Sequence, residues 1–127
     1  MSNTESLTLN RLLTLKQRRE QSQRAALATL AQQEIELQDS TTRLLNQRRH
    51  LWDQWRGRSA SSQVLDHNTL RNLKIELANY NQQDHTLADR LDTLQNEWSR
   101  VRIEQAERQA LLRKLMVEQE KLKILLE

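Results

Sequence analysis

A single apolar line runs through the second half of this chain. It takes Leu70, Leu73, Leu77, Tyr80, Asp84, Leu87, Leu91, Leu94, Trp98, Val101, Gln105, Arg108, Leu112, Leu115, Gln119, Leu122 and Leu126, in alternating steps of three and four residues. Thirteen of the seventeen are apolar, so the repeat is that of a helix laying a narrow seam on another helix. Such a helix runs about 85 Å at 1.5 Å per residue, too long for one element of a compact small domain. The pattern predicts helix packed on helix along a line. Function should then reside in being a rod.

Composition supports the same class. Proline is absent from the 127 residues, and glycine occurs once, at Gly57. Nothing interrupts a helix over most of the length. The aromatics are only Trp52, Trp55, Tyr80 and Trp98, too few for a globular core. With no cysteine, disulfides and thiolate metal sites are excluded, and a reducing cytosol is permitted. The start of the chain is polar, and no apolar run suffices for a signal peptide or a membrane span. A net charge of +3 is a mild excess spread among many acids, so no nucleic-acid partner is expected.

The first half repeats the theme less regularly. Ser2 and Glu5 have capping-box spacing, so a first helix is predicted over about residues 4–56. Leu9, Leu12 and Leu13 open its stripe, and Lys16, Arg19 and Gln23 weaken it. Leu27 and Leu30 resume it, followed by Leu37, Leu44 and Leu51 at seven-residue steps. Residues 57–63 (GRSASSQ) are the one stretch of turn composition, giving a loop over about 57–66. Gly57 suits a left-handed residue just past a helix end. Asp66 or Asn68 can cap a second helix over about 67–126. The favoured fold is an all-α, antiparallel two-helix coiled-coil hairpin in a single domain, likewise expected to be monomeric when isolated. One continuous helix that dimerises is the competing fold, and the mid-chain break argues against it. With the loop centred near residue 61, residues whose numbers add to about 124 should face each other. Lys16 and Arg19 would then lie opposite Gln105 and Arg108, as the weakest part of the seam.

Catalytic chemistry finds little support. His50, His67 and His85 do not share one face at one level, and no phosphate-cradling or nucleophile motif is present. No enzyme activity, cofactor or metal is expected. Asp84 interrupts the seam as a residue that sets register or as a point of flexure. Trp52 and Trp55, one turn apart near the loop, face Leu70, Leu73, Leu77 and Tyr80. They read as a clamp closing that end, yet a two-helix seam cannot hide all three large aromatics. Basic side chains gather in the terminal segments: Arg11, Lys16, Arg18, Arg19 and Arg24, with Arg108, Arg113, Lys114, Lys121 and Lys123. These read as a solvated face with helical ion pairs, or as a basic surface for an acidic ring.

Taken together, the length, the near-absence of Pro and Gly, the mid-chain loop, the Gln- and Arg-rich helices and the flanking aromatics resemble a known family. The chain is similar to the central-stalk proteins of bacterial type III secretion systems, the SctO/YscO group related to flagellar FliJ. The resemblance implies a non-enzymatic stalk, cytoplasmic at the base of the secretion machine in the inner membrane. Its termini end would enter the hexameric secretion ATPase and promote its assembly and hydrolysis. Its other half would reach the cytoplasmic domain of the export-gate protein. Secretion chaperones are further implied partners. Carried onto this chain, Arg11, Lys16, Arg18, Arg19, Arg113, Lys114 and Lys121 would face the ATPase. Trp52, Trp55, Leu73, Leu77 and Tyr80 would face the export gate. The alternative is a coiled-coil scaffold or chaperone-escort adaptor with no ATPase partner.

Overall fold

The computed structural model describes residues 2–60 and 66–127. Two helices make the fold: α1, Asn3–Ala60, and α2, His67–Leu126. They pack antiparallel as an all-α hairpin, and no strand occurs among the described residues. Low numbers meet high ones, as when Lys16 pairs with Glu118, while Arg58 pairs with Glu76 near the turn.

Local chemistry sets the helix starts. The Glu5 N–H donates to Ser2 Oγ at 3.2 Å, and the Ser2 N–H donates to Glu5 Oε2 at 3.4 Å. This reciprocal capping box satisfies donors that the first turn leaves without helical partners. At α2 the cap is Asp66 rather than Asn68: its Oδ1 accepts from the Thr69 N–H at 2.7 Å. That backbone bond holds the Asp66 carboxyl below the usual carboxylate range.

The end of α1 departs from expectation. The helix does not stop near residue 56; it continues through Gly57 to Ala60. Gly57 has no positive φ, so it is a helical residue and not a left-handed cap. Interactions on both sides outweigh its poor propensity, which amounts to about 1 kcal/mol. Trp55 packs in a tilted contact against Tyr80, and Arg58 grips Glu76 with two bonds. The rest of the turn-like stretch, residues 61–65, lies outside the described residues.

The α2 seam follows the apolar line closely. Fifteen of its seventeen residues are buried or half-buried, while Leu70 and Leu77 are exposed and Thr69 and Glu76 turn inward in their place. In α1 the covered line runs Leu9, Leu13, Lys16, Glu20, Gln23, Leu27, Leu30, Glu34, Leu37, Thr41, Leu44, Arg48, Leu51 and Trp55. Leu12 and Arg19, both read as seam residues, are exposed; Leu13 and Glu20 hold the line at those turns. Among the described residues the buried apolar side chains are Leu30, Leu51, Val101, Leu115 and Leu122, each still 5–9% exposed. Burial of each contributes about 1.5–3 kcal/mol, and the half-buried leucines and aromatics of the two seams add to it.

The register also differs from the simple symmetric fold-over. Arg48 meets Asp84, Lys16 meets Glu118 and Trp55 meets Tyr80, with numbers that add to 132, 134 and 135 rather than 124. Two causes act in the same direction. The helix ends that bound the turn, Ala60 and His67, already add to 127. Side chains also lean toward the N-terminus of their own helix, so on antiparallel helices each contact joins residues of higher number than the backbone levels suggest.

The helix-to-helix contacts fall into two sets. One unit comprises Met1–Ile35 with Ser99–Glu127, and the other comprises Glu36–Trp98. In the first, Lys16 and Arg19 do not face Gln105 and Arg108. Glu34 accepts from Gln105 at 2.9 Å, and Gln23 accepts from Arg108 at 3.1 Å. Glu20 accepts from the buried Gln119 at 3.1 Å. Lys16, Glu20, Gln23 and Glu34 therefore have polar partners on α2.

Candidate partner-binding surfaces

In the unit Glu36–Trp98, a polar network replaces one apolar layer of the seam. Arg48 Nε and an Arg48 terminal nitrogen donate to the two Asp84 carboxylate oxygens at 2.6 and 3.2 Å. The Trp52 indole N–H donates to the same carboxylate at 2.7 Å. The Arg48 guanidinium also lies 4.7 Å from the centre of the Trp52 ring, within cation–π range. Arg48, first, and then the Trp52 N–H hold the Asp84 carboxyl below the usual aspartate range. Asp84 thus has committed partners across the seam, as a residue that sets register would have.

This network fixes the aromatic surface. Trp52 remains 46% exposed, with its N–H anchored and its ring covered on one face by Arg48. Trp55 and Tyr80 are half-buried, with ring centroids 5.5 Å apart and planes tilted by 52°. Of the loop-half residues singled out from the sequence, Trp55, Leu73 and Tyr80 serve largely as packing. Trp52 and Leu77 present apolar surface to solvent. An exposed tryptophan held rigid loses little side-chain freedom on binding, which favours it as an anchor.

In the unit Met1–Ile35 with Ser99–Glu127, the basic residues divide. Lys16 is drawn into the seam, where its ammonium meets Glu118 at 2.6 Å. That contact, more than the nearby Lys114 and Lys121, holds the Glu118 carboxyl low. Lys16 is therefore committed inside the hairpin and is a poor candidate for a partner. Arg11, Arg18, Arg19, Arg113, Lys114 and Lys121 are exposed. Arg11 and Arg18 lie seven residues apart on the α1 face turned away from the seam, whereas Lys114 and Lys121 flank Glu118 on α2.

Sequence reasoning missed Arg48, Arg58, Glu76 and Glu118 as members of these networks. A signal was present. Leu37, Leu44 and Leu51 form one set of seam positions, and the complementary set at four-residue offsets is Thr41, Arg48 and Trp55. A charged residue in that second set, opposite an acid in the partner seam, marks a candidate interhelical pair. Among the described residues no helix is long and apolar enough to cross a membrane.

No family model, no curated protein and no solved structure matches the chain.

Proposed function

We propose that this chain is a non-enzymatic stalk of a type III secretion export apparatus, coupling the hexameric secretion ATPase to the export gate. The observation that carries the reading is a two-helix hairpin that leaves Trp52 exposed in its loop half and most of its basic side chains exposed in its terminal segments. A hairpin of this kind satisfies its own seam and spends its outer faces on partners. The exposed cations Arg11, Arg18, Arg19, Arg113, Lys114 and Lys121 would engage acidic surfaces of the ATPase ring. Trp52, with Leu77 beside the Trp55–Tyr80 pair, would meet the cytoplasmic domain of the export gate. Binding would act allosterically: a stalk unequal in cross-section favours different states in different subunits of the ring around it.

A tagged pull-down from the native cell tests the reading, with bound proteins identified by mass spectrometry. Recovery of a hexameric ATPase with the cytoplasmic domain of a multi-pass membrane protein supports the stalk. Recovery of soluble helical partners alone refutes it in favour of a scaffold or chaperone-escort adaptor. With purified ATPase, the Arg18→Glu, Arg19→Glu variant should lose stimulation while keeping its helicity, because both side chains are exposed. Undiminished stimulation would remove these arginines from the interface.

A further inference from the structure

Trp52 and His50 flank Leu51 on opposite sides of α1, each about 100° around the helix. On the Trp52 side, Arg48 and the indole both reach across to Asp84. On the His50 side the seam is open. There a hollow of about 600 Å³ lies over Leu51 and Leu87, walled by Gln47, Gln54, Gln83 and Arg90. A second hollow of about 390 Å³ lies over Leu44 and Leu94, and shares Gln47 and Arg90 with the first. The two adjoin through those shared residues, and together they are taken as one groove within the unit Glu36–Trp98.

The spacing of the floor residues suits a helical occupant. Their floors advance by seven residues on each helix, from Leu44 to Leu51 and from Leu94 to Leu87. Seven residues of α-helix span about 10.5 Å, the distance between equivalent knobs of a third helix in heptad packing. An extended strand presents side chains on one face about every 6.8 Å and would fall out of step. The walls identify the charge. Among the described residues no carboxylate lines either hollow, whereas Arg43 and Arg90 both line the second. Glutamine amides along the rest can serve either donors or acceptors.

We propose that this groove seats an acidic amphipathic helix of a partner protein. Apolar side chains at seven-residue intervals enter the hollows over Leu51/Leu87 and Leu44/Leu94, and flanking carboxylates meet Arg43 and Arg90. The site differs from the Trp52 surface and does not depend on the secretion assignment.

Two labelled synthetic helical peptides test it against the full chain by fluorescence anisotropy. Both carry leucines at heptad positions; one has glutamates on the flanks and the other has lysines there. The glutamate peptide should bind about tenfold more tightly than the lysine peptide, and Arg43→Glu with Arg90→Glu should reverse that preference. Thr86→Trp, at an exposed position on the groove wall, should abolish binding of both peptides, whereas Ile75→Ala, at an exposed position outside the groove lining, should leave it unchanged. Circular dichroism confirms that each variant remains a folded hairpin. Equal binding of the two peptides, or binding indifferent to Thr86→Trp, overturns the proposal. So does a dimer of the unliganded chain in sedimentation equilibrium that Thr86→Trp dissociates, since a second copy would then be the occupant.

Discussion

Replacing Asp84 with Asn removes one charge while nearly preserving shape, and it isolates the network on which the loop half is registered. Three charge-assisted hydrogen bonds end on this carboxylate, at 2.6, 3.2 and 2.7 Å. Bonds to charged groups contribute about 1.5–3 kcal/mol net, and exposed ion pairs about 0–1 kcal/mol. The Arg48 and Asp84 side chains are 29% and 27% exposed, so the site lies between those limits. Asp84→Asn should therefore cost about 1–2 kcal/mol at neutral pH, read as a lowered urea midpoint with an unchanged slope. The comparison variant is Asp53→Asn. Its partner, Arg56, lies on the same helix, and both side chains are more than half exposed, so the loss should stay within about 0.3 kcal/mol. The pH dependence has a fixed sign. The folded Asp84 carboxyl is held below the ordinary value of 3.8, so its contribution is present above 3.8 and is lost as pH falls through the lower folded value. The gap between wild type and Asp84→Asn should narrow below pH 3.8 and not widen. Equal losses for Asp84→Asn and Asp53→Asn at pH 7 would refute the argument that this pair sits in a partly desolvated seam.

Other consequences follow from the same packing. Leu51→Ala, at a site only 6% exposed, should cost about 2–3 kcal/mol by chemical denaturation, whereas Leu45→Ala, at 50% exposure, should cost less than about 0.5 kcal/mol. Gly57→Ala should stabilise the hairpin by about 0.5–1 kcal/mol, because Gly57 is helical and a Cβ there meets nothing within 4 Å. A destabilising result would mean that Gly57 does terminate α1. The double variant Arg48→Leu, Asp84→Leu should be neutral or stabilising by thermal melt, yet should form more than one species in sedimentation, because the residues that specify alignment are gone.

How much of this was legible depended on which force set each feature. The α2 seam was readable residue by residue because a long three-four alternation of apolar side chains has one helical solution. It failed only at Leu70 and Leu77, where Glu76 turns inward to meet Arg58. The α1 seam was less readable because Lys16, Glu20, Glu34 and Arg48 occupy covered positions that an apolar pattern does not mark. Each is covered because it has a partner on α2, and partnership depends on register. Register was in turn misplaced, because it depends on side-chain lean and on where α1 ends. The end of α1 was misread at Gly57, where contacts to Tyr80 and Glu76 override local propensity. In the candidate surfaces, the aromatic residues were found by type. The distinction between Trp52 as surface and Trp55 as packing required the Asp84 contact.

The antiparallel connection also imposes an order in time. Arg58 and Glu76 are 18 residues apart along the chain, Arg48 and Asp84 are 36 apart, and Glu20 and Gln119 are 99 apart. Bringing the first pair together closes a short loop, and every later layer closes only a small increment beyond the layer before it. Folding by this route proceeds like a zipper from the turn, with each polar pair checking alignment before the next is added. Unfolding takes the reverse path. Amides in the terminal segments should exchange with solvent before those around Arg48 and Asp84.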